Sequence, residues 1–164
     1  MTRIGILSDT HCFLHEKIFD FFASCDQLWH AGDFGNLDTA EQLAEFKPLI
    51  GVYGNIDGQE LRVRFPEKQL IKVEQHRIFI THIGGTPSKY DLKARSTIES
   101  LKPTIFVCGH SHICKIQYDQ RQNLLYINPG AAGKYGFHTK ITLVRFVIDG
   151  SNLKDMEILE LDKH

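Results

Sequence analysis

Nowhere in the 164 residues does an apolar run approach the ~18 residues that a helical membrane span needs, so no membrane association is expected. Charge of one sign is equally scarce. Nineteen Lys and Arg face twenty Asp and Glu, a formal net charge of -1, which carries no strong nucleic-acid or lipid signature. Cysteine is confined to Cys12, Cys25, Cys108 and Cys114, with no Cys-x-x-Cys pair. That spacing argues against zinc held by these thiols and predicts reduced cysteines in a cytoplasmic protein. Met1-Thr2-Arg3-Ile4 lacks the charged start and long apolar middle of a secretory signal, which gives the same expectation. There is no internal repeat and no low-complexity linker. Gly130-Ala131-Ala132-Gly133 lacks the Gly-Lys-Ser/Thr ending of a phosphate-binding P-loop and reads as a close-approach loop.

The length fits one domain, residues 1–164. The first two thirds alternate strand and helix. Helices are predicted over Phe13 to Ala23, over Leu37 to Phe46 with Asp38 near its start and Pro48 past its end, and over Ser88 to Leu101. Gln69 to Ile80 reads as a hairpin. So do Lys115 to Tyr118 with Leu124 to Ile127, and Lys140 to Ile148 with Leu153 to Leu159. Strand–helix alternation followed by hairpins predicts an α/β fold of two packed mixed sheets with helices outside.

Five apolar runs each stop at a polar residue able to hold a metal. Ile4 to Ser8 meets Asp9-Thr10-His11. Leu28 to Gly32 meets Asp33. Leu49 to Gly54 meets Asn55. Ile78 to Thr81 meets His82. Ile105 to Gly109 meets His110-Ser111-His112. Such runs read as buried strands, and α/β sheets collect ligands beyond their strands' carboxyl ends. Each motif alone has a plainer reading: Asp33 as a helix cap, His82 as a satisfied strand-end histidine. Their joint occurrence points to one metal site, with two ions. Imidazole, carboxylate and carboxamide together suit borderline divalent metals, with manganese the first expectation and nickel, iron, cobalt or zinc the alternatives. Asp33 is the obvious bridge. Two divalent ions less Asp9, Asp33 and a hydroxide leave net positive charge, which favours a phosphate-ester substrate. His30 reads as a residue orienting a ligand, with core packing the alternative; Asp57 as a turn stabiliser; and His138 as a histidine with a weak claim to reach the phosphate. Trp29 reads as core, and His15, His76 and His164 as surface.

The ordered set Asp9-x-His11, Gly32-Asp33, Gly54-Asn55, His82, Gly109-His110-x-His112 resembles the calcineurin-like metallophosphoesterase superfamily. It is most similar to the small single-domain phosphodiesterase branch of bacteria and archaea, of which Asn128-Pro129-Gly130 resembles another mark. The resemblance implies a four-layer α/β/β/α sandwich. It implies that Asp9, His11, Asp33 and His112 hold one ion, that Asp33, Asn55, His82 and His110 hold the other, and that a bridging hydroxide attacks phosphorus. Asp33, Asn55 and His82 are the expected catalytic residues. The chain departs from the pattern at Ile56, where many members carry a proton-donating His, and at Cys114, where proline is common. Loss of that His weakens expulsion of strongly basic leaving groups, and the resemblance to the small branch, which often lacks it, implies a diester rather than a monoester. A phosphomonoesterase using the same site is one alternative; the superfamily also includes a retromer subunit that works through protein contacts, which makes a non-catalytic scaffold the other. Exposed edge strands or apolar patches would support a homodimer.

Overall fold

The computed structural model describes residues 1–163. Two five-stranded sheets pack face to face. In the first, β1 (Thr2–Leu7), β2 (Gln27–His30) and β3 (Leu49–Gly51) run parallel, and the last two strands of the chain complete its edge. In the second, β4 (Lys68–Val73) and β5 (His76–Thr81) form a hairpin, and β5, β8 (Ile105–Val107) and β10 (Leu124–Pro129) run parallel. β9 (Cys114–Asp119) closes the other edge of that sheet, antiparallel to β10. β11 (Lys140–Asp149) pairs with β1, and β12 (Asn152–Asp162) lies outside it.

The period of two along each strand sorts the side chains into layers. Ile4 and Ile6, Ile78 and Ile80, Ile105 and Val107, and Val144 and Phe146 meet between the sheets, with Trp29 fully buried among them. Their neighbours face outward. Leu7, Leu28 and Leu143 receive α1 (Lys17–Phe21), α2 (Leu37–Phe46) and α3 (Gln59–Arg64), which bring Ile18, Leu43 and Leu61. Phe79, Phe106 and Tyr126 receive Ala94 and Ile98 of α4 (Leu92–Leu101). The result is the expected α/β/β/α sandwich.

Local chemistry moves several boundaries. Residues 13–16 leave the expected first helix because Phe13 donates its N–H to Thr10, holding the segment as a turn against the strand ends. The α4 helix starts at Leu92, since the Asp91 carboxylate accepts the N–H groups of Lys93 and Ala94. Ser88 instead sits at φ 72° in the turn between two short strands, β6 (Gly85–Thr86) and β7 (Lys89–Tyr90). Asn36, not Asp33, caps α2, by accepting from Thr39 N at 2.9 Å. Pro48 does follow the end of α2, and the three hairpins form. Helix α3 and the β6–β7 ribbon have no counterpart in the sequence reading; both are too short to show a periodicity. All four cysteines are free, and no helix of the described residues is long and apolar enough to cross a membrane. His164 lies outside the described residues.

Candidate metal centre

Six parallel strands, three per sheet, deliver their carboxyl ends to one rim. The chain turns sharply there. Asp9, His11, Asp33, His110 and His112 all have positive φ, between 44° and 70°. Non-glycine residues rarely occupy that region and persist in it only when their surroundings enforce it. The glycines before the candidate ligands have a packing reason. A Cβ on Gly54 would collide with Asp33 Oδ1, and one on Gly109 would lie 2.7 Å from Asp9 Oδ2.

Asp9, Asp33 and His82 are buried. Donor atoms of Asp9, His11 and His112 lie within 4.8 Å of one another, and so do those of Asp9, Asp33 and His82. The two triads share Asp9, whereas the sequence reading made Asp33 the shared residue. Asp33 nonetheless faces both sides: its Oδ2 is 3.5 Å from His11 Nε2 and 3.2 Å from His82 Nε2. His112 Nε2 lies 3.2 Å from Asp9 Oδ1. His110 and Asn55 border this cup rather than enter either triad. They are exposed, with His110 Nδ1 3.1 Å from Asn55 Oδ1 and the His110 ring 5.2 Å from that of His82.

Each ligand is oriented from behind. His82 Nδ1 donates to the Ala31 carbonyl at 2.7 Å, which leaves Nε2 with its lone pair toward the cup. Ser8 Oγ donates to Asp9 Oδ2 at 2.7 Å, and His110 N donates to the same oxygen at 3.0 Å. Ile56 N donates to Asp33 Oδ1 at 3.0 Å. One oxygen of each carboxylate is thereby held by the protein while the other faces the imidazoles. His11 Nε2 and His82 Nε2 are buried and have no hydrogen-bond partner. Buried polar atoms are normally paired, so two orphaned nitrogens aimed at carboxylate oxygens fit a site for cations. Burial would raise the Asp9 carboxyl, but His11, His112, His82 and Ser8 outweigh it and hold it well below the usual carboxylate range. Burial opposes a proton on His82, yet Asp33 and Asp9 raise its affinity above the ordinary value.

The supporting residues are only partly legible in the sequence. Asp57 is buried and accepts four backbone N–H groups: Asp33 at 3.0 Å, Phe34 at 3.2 Å, Gly35 at 2.9 Å and Gly54 at 2.8 Å. It ties the Asp33 turn to the Asn55 turn, a larger role than stabilising its own loop. His30 touches no candidate ligand side chain. Gly32 N donates to its Nδ1 at 3.0 Å, and its Nε2 lies 3.1 Å from Thr10 Oγ1, whose hydroxyl donates to Phe34 O. Only neutral imidazole satisfies all three bonds, and burial lowers its pKa from 6.5 to about 3. Asn128 Nδ2 donates to Gly109 O at 3.1 Å and Ser111 Oγ at 3.0 Å, pinning the His110–His112 loop. His138 donates from Nε2 to Gly133 O at 2.8 Å, and its ring stands edge-on to His112 at 5.1 Å. Ser8 and Tyr135, whose ring stacks on His11 at 4.9 Å, follow no spacing rule that would single them out.

A family model for the calcineurin-like phosphoesterase superfamily domain matches residues 2–151. The chain belongs to that superfamily, a family of phosphoesterases that bind divalent metals. It is 28% identical over 134 residues to a probable metallophosphoesterase of Methanocaldococcus jannaschii, covering 78% of this chain and 67% of that protein. Among solved structures it resembles a novel archaeal phosphodiesterase, with TM-score 0.72, 21% identity and coverage of 96% and 99% of the two chains. It also resembles Vps29 of Chaetomium thermophilum, with TM-score 0.79, 14% identity and coverage of 98% and 97%. At these identities both likenesses are of fold.

Two consequences are measurable in the metal-free protein. Because the folded pKa of His30 is depressed, its contribution to stability is complete above pH 6.5 and is lost as pH falls toward 3. Urea melts of His30→Gln should show an acid limb shallower than wild type, by at most ~1.4 kcal/mol per pH unit; parallel limbs would refute the buried neutral imidazole. Asp57→Ala leaves four N–H groups without their acceptor. It should lower stability by roughly 3 kcal/mol or more and weaken Mn²⁺ binding by about 10–100-fold by calorimetry.

Proposed function

We propose that this member of the superfamily hydrolyses phosphodiesters with two divalent ions, manganese first among them, held by Asp9, His11, Asp33, Asn55, His82, His110 and His112. The observation that carries the reading is the pair of buried, unpartnered nitrogens, His11 Nε2 and His82 Nε2, facing Asp33 Oδ2 from 3.5 and 3.2 Å. Ions bound there would act as Lewis acids, acidifying a water and neutralising phosphoryl charge.

The chain's own residues set the rest. Asp33, with Oδ1 fixed by Ile56 N, keeps Oδ2 pointed into the cup at no reorganisation cost. His82, locked by Ala31 O, presents Nε2 in one tautomer. Asn55, on the neighbouring turn, adds a neutral ligand, so the centre keeps its attraction for a phosphate anion. At position 56 the side chain is isoleucine, 46% exposed at the rim, and it carries no proton for a departing alkoxide. Weakly basic leaving groups are therefore favoured, and the resemblance to the small branch that lacks this His is what supports a diester over a monoester preference. The thiols suit a reducing, cytoplasmic setting.

The likeness to Vps29 supports a second reading, a scaffold that works through protein contacts. Hydrolysis of bis-p-nitrophenyl phosphate by Mn²⁺-loaded protein separates the two. Wild type should turn over and Asp33→Ala should lose nearly all activity; no turnover on any mono- or diester, with metal bound, would favour the scaffold. Ile56→His should accelerate hydrolysis of the bis-phenyl ester by roughly 10-fold or more while changing the p-nitrophenyl rate little. An equal effect on both esters would contradict the missing-acid argument.

A further inference from the structure

Beside the cup opens a cleft of about 860 Å³. Asn55 and His82 line one end of it, and it runs between the Tyr53–Asn55 turn, β4 and the start of α4. Its volume lies near the top of the range for organic-ligand sites and far exceeds the needs of a phosphoryl group. The sequence motifs say nothing of it, because its walls come from α3, β4 and α4.

The cleft is amphiphilic. Phe79 and Ala94 close it from beneath but are buried in the core, so the apolar surface open to a ligand comes from Ile83, 42% exposed, and from Tyr53. Three cations line it: Arg62, Lys68 and Lys93. Arg62 is built in. Its Nε donates to Asp57 O at 2.7 Å, one terminal nitrogen reaches Asn55 O at 3.4 Å, and the guanidinium lies 4.5 Å over the Tyr53 ring. It is thus fastened to the very turn that carries Asn55. Among the described residues, Lys68 Nζ has one polar contact, the Thr97 hydroxyl at 3.4 Å. The two acids lining the cleft, Glu67 and Asp91, offset these cations only in part. Asp91 accepts backbone N–H groups at the start of α4. Glu67 meets Lys93 at 3.5 Å in a highly exposed pair, which solvent screens. In a chain of net charge -1, the cleft keeps a small excess of positive charge, three cations against two acids, beside exposed apolar surface at Ile83.

We infer that the cleft binds one ester arm of the substrate, and that this arm is an organic group of nucleoside size bearing a second phosphate. The inference rests on the phosphodiesterase reading and specifies its substrate class. The reacting phosphate sits at the cup, the organic moiety packs against Ile83 and Tyr53, and the second phosphate meets Lys68 and Lys93, with Arg62 at the junction. A phosphate arm matches the lysines as point charges and the guanidinium as a planar donor.

Two measurements test this separately from catalysis. In metal-free protein, amide resonances are followed while adenosine monophosphate is titrated in. Shifts should map to Lys68, Lys93 and Ser96, and the Lys68→Gln/Lys93→Gln double variant should bind at least ~5-fold more weakly. Shifts confined to other faces, or unchanged affinity in the double variant, would overturn the proposal. In Mn²⁺-loaded protein, the ratio of kcat/KM for the dithymidine nucleotide with a terminal phosphate to that without one should be at least ~10 and fall toward one in the double variant. Lys72→Gln, on the same strand but outside the cleft, should keep the wild-type ratio. A ratio near one in wild type, or an equal fall in Lys72→Gln, would refute the assignment. Turnover of bis-p-nitrophenyl phosphate without that preference would sink the cleft and leave the phosphodiesterase standing; nucleotide binding without any turnover would sink the phosphodiesterase and, with it, the assignment of the cleft to an ester arm.

Discussion

Two carboxylates, Asp9 and Asp33, are buried with donor atoms no more than 4.8 Å apart. Like charges so placed repel, and burial removes the water that would otherwise screen them. The surrounding structure answers that cost. Ser8 and the His110 amide hold Asp9, the Ile56 amide holds Asp33, and Asp57 organises the backbone behind Asp33 through four N–H groups. The remaining oxygens face imidazoles, two of which present unpartnered nitrogens. Such a centre is complete only with added positive charge. Asp33 and Asp9 raise the proton affinity of His82 against the effect of burial, so a cation entering the cup would compete with a proton there.

Fold and site share one cause. Parallel strands in both sheets end at the same rim, and the ends that carry Asp9, Asp33 and His110 turn through a conformation that glycine tolerates easily and Asp or His does not. The loops are held by bonds that cross between elements: Asn128 to the His110 loop, His30 to Gly32 and Thr10, Asp57 between two turns. Rigidity at the rim is what lets side chains from distant parts of the chain approach within a few ångströms without collapsing onto one another.

The layers were legible from the sequence because buried parallel strands read as uninterrupted apolar runs, and long hairpins as alternation. Ile4 to Ser8 and Lys140 to Ile148 are examples of each. Helix α3 and the β6–β7 ribbon were not, since a six-residue helix and strands of two residues carry no period. The placements of Asp9, His11, Asp33, His82 and His112 in one cup agree with the motif order. The sharing of Asp9 by both donor triads does not follow from it, because spacing along the chain does not say which carboxylate oxygen the backbone will occupy. Asp57 illustrates the same limit. Its neighbours Gly54 and Asn55 suggested a turn, but three of its four partners lie more than twenty residues away. The cationic cleft was invisible for a related reason: Arg62, Lys68 and Lys93 are ordinary surface residues until the fold aligns them.

Anomalous scattering from a crystal soaked in Mn²⁺ tests the central claim most directly. The account predicts two close peaks inside the cup, one against His11 and His112, the other against His82, with Asp9 and Asp33 between them. A single peak elsewhere, or an empty cup flanked by ordered Asp33 and His82, would contradict it.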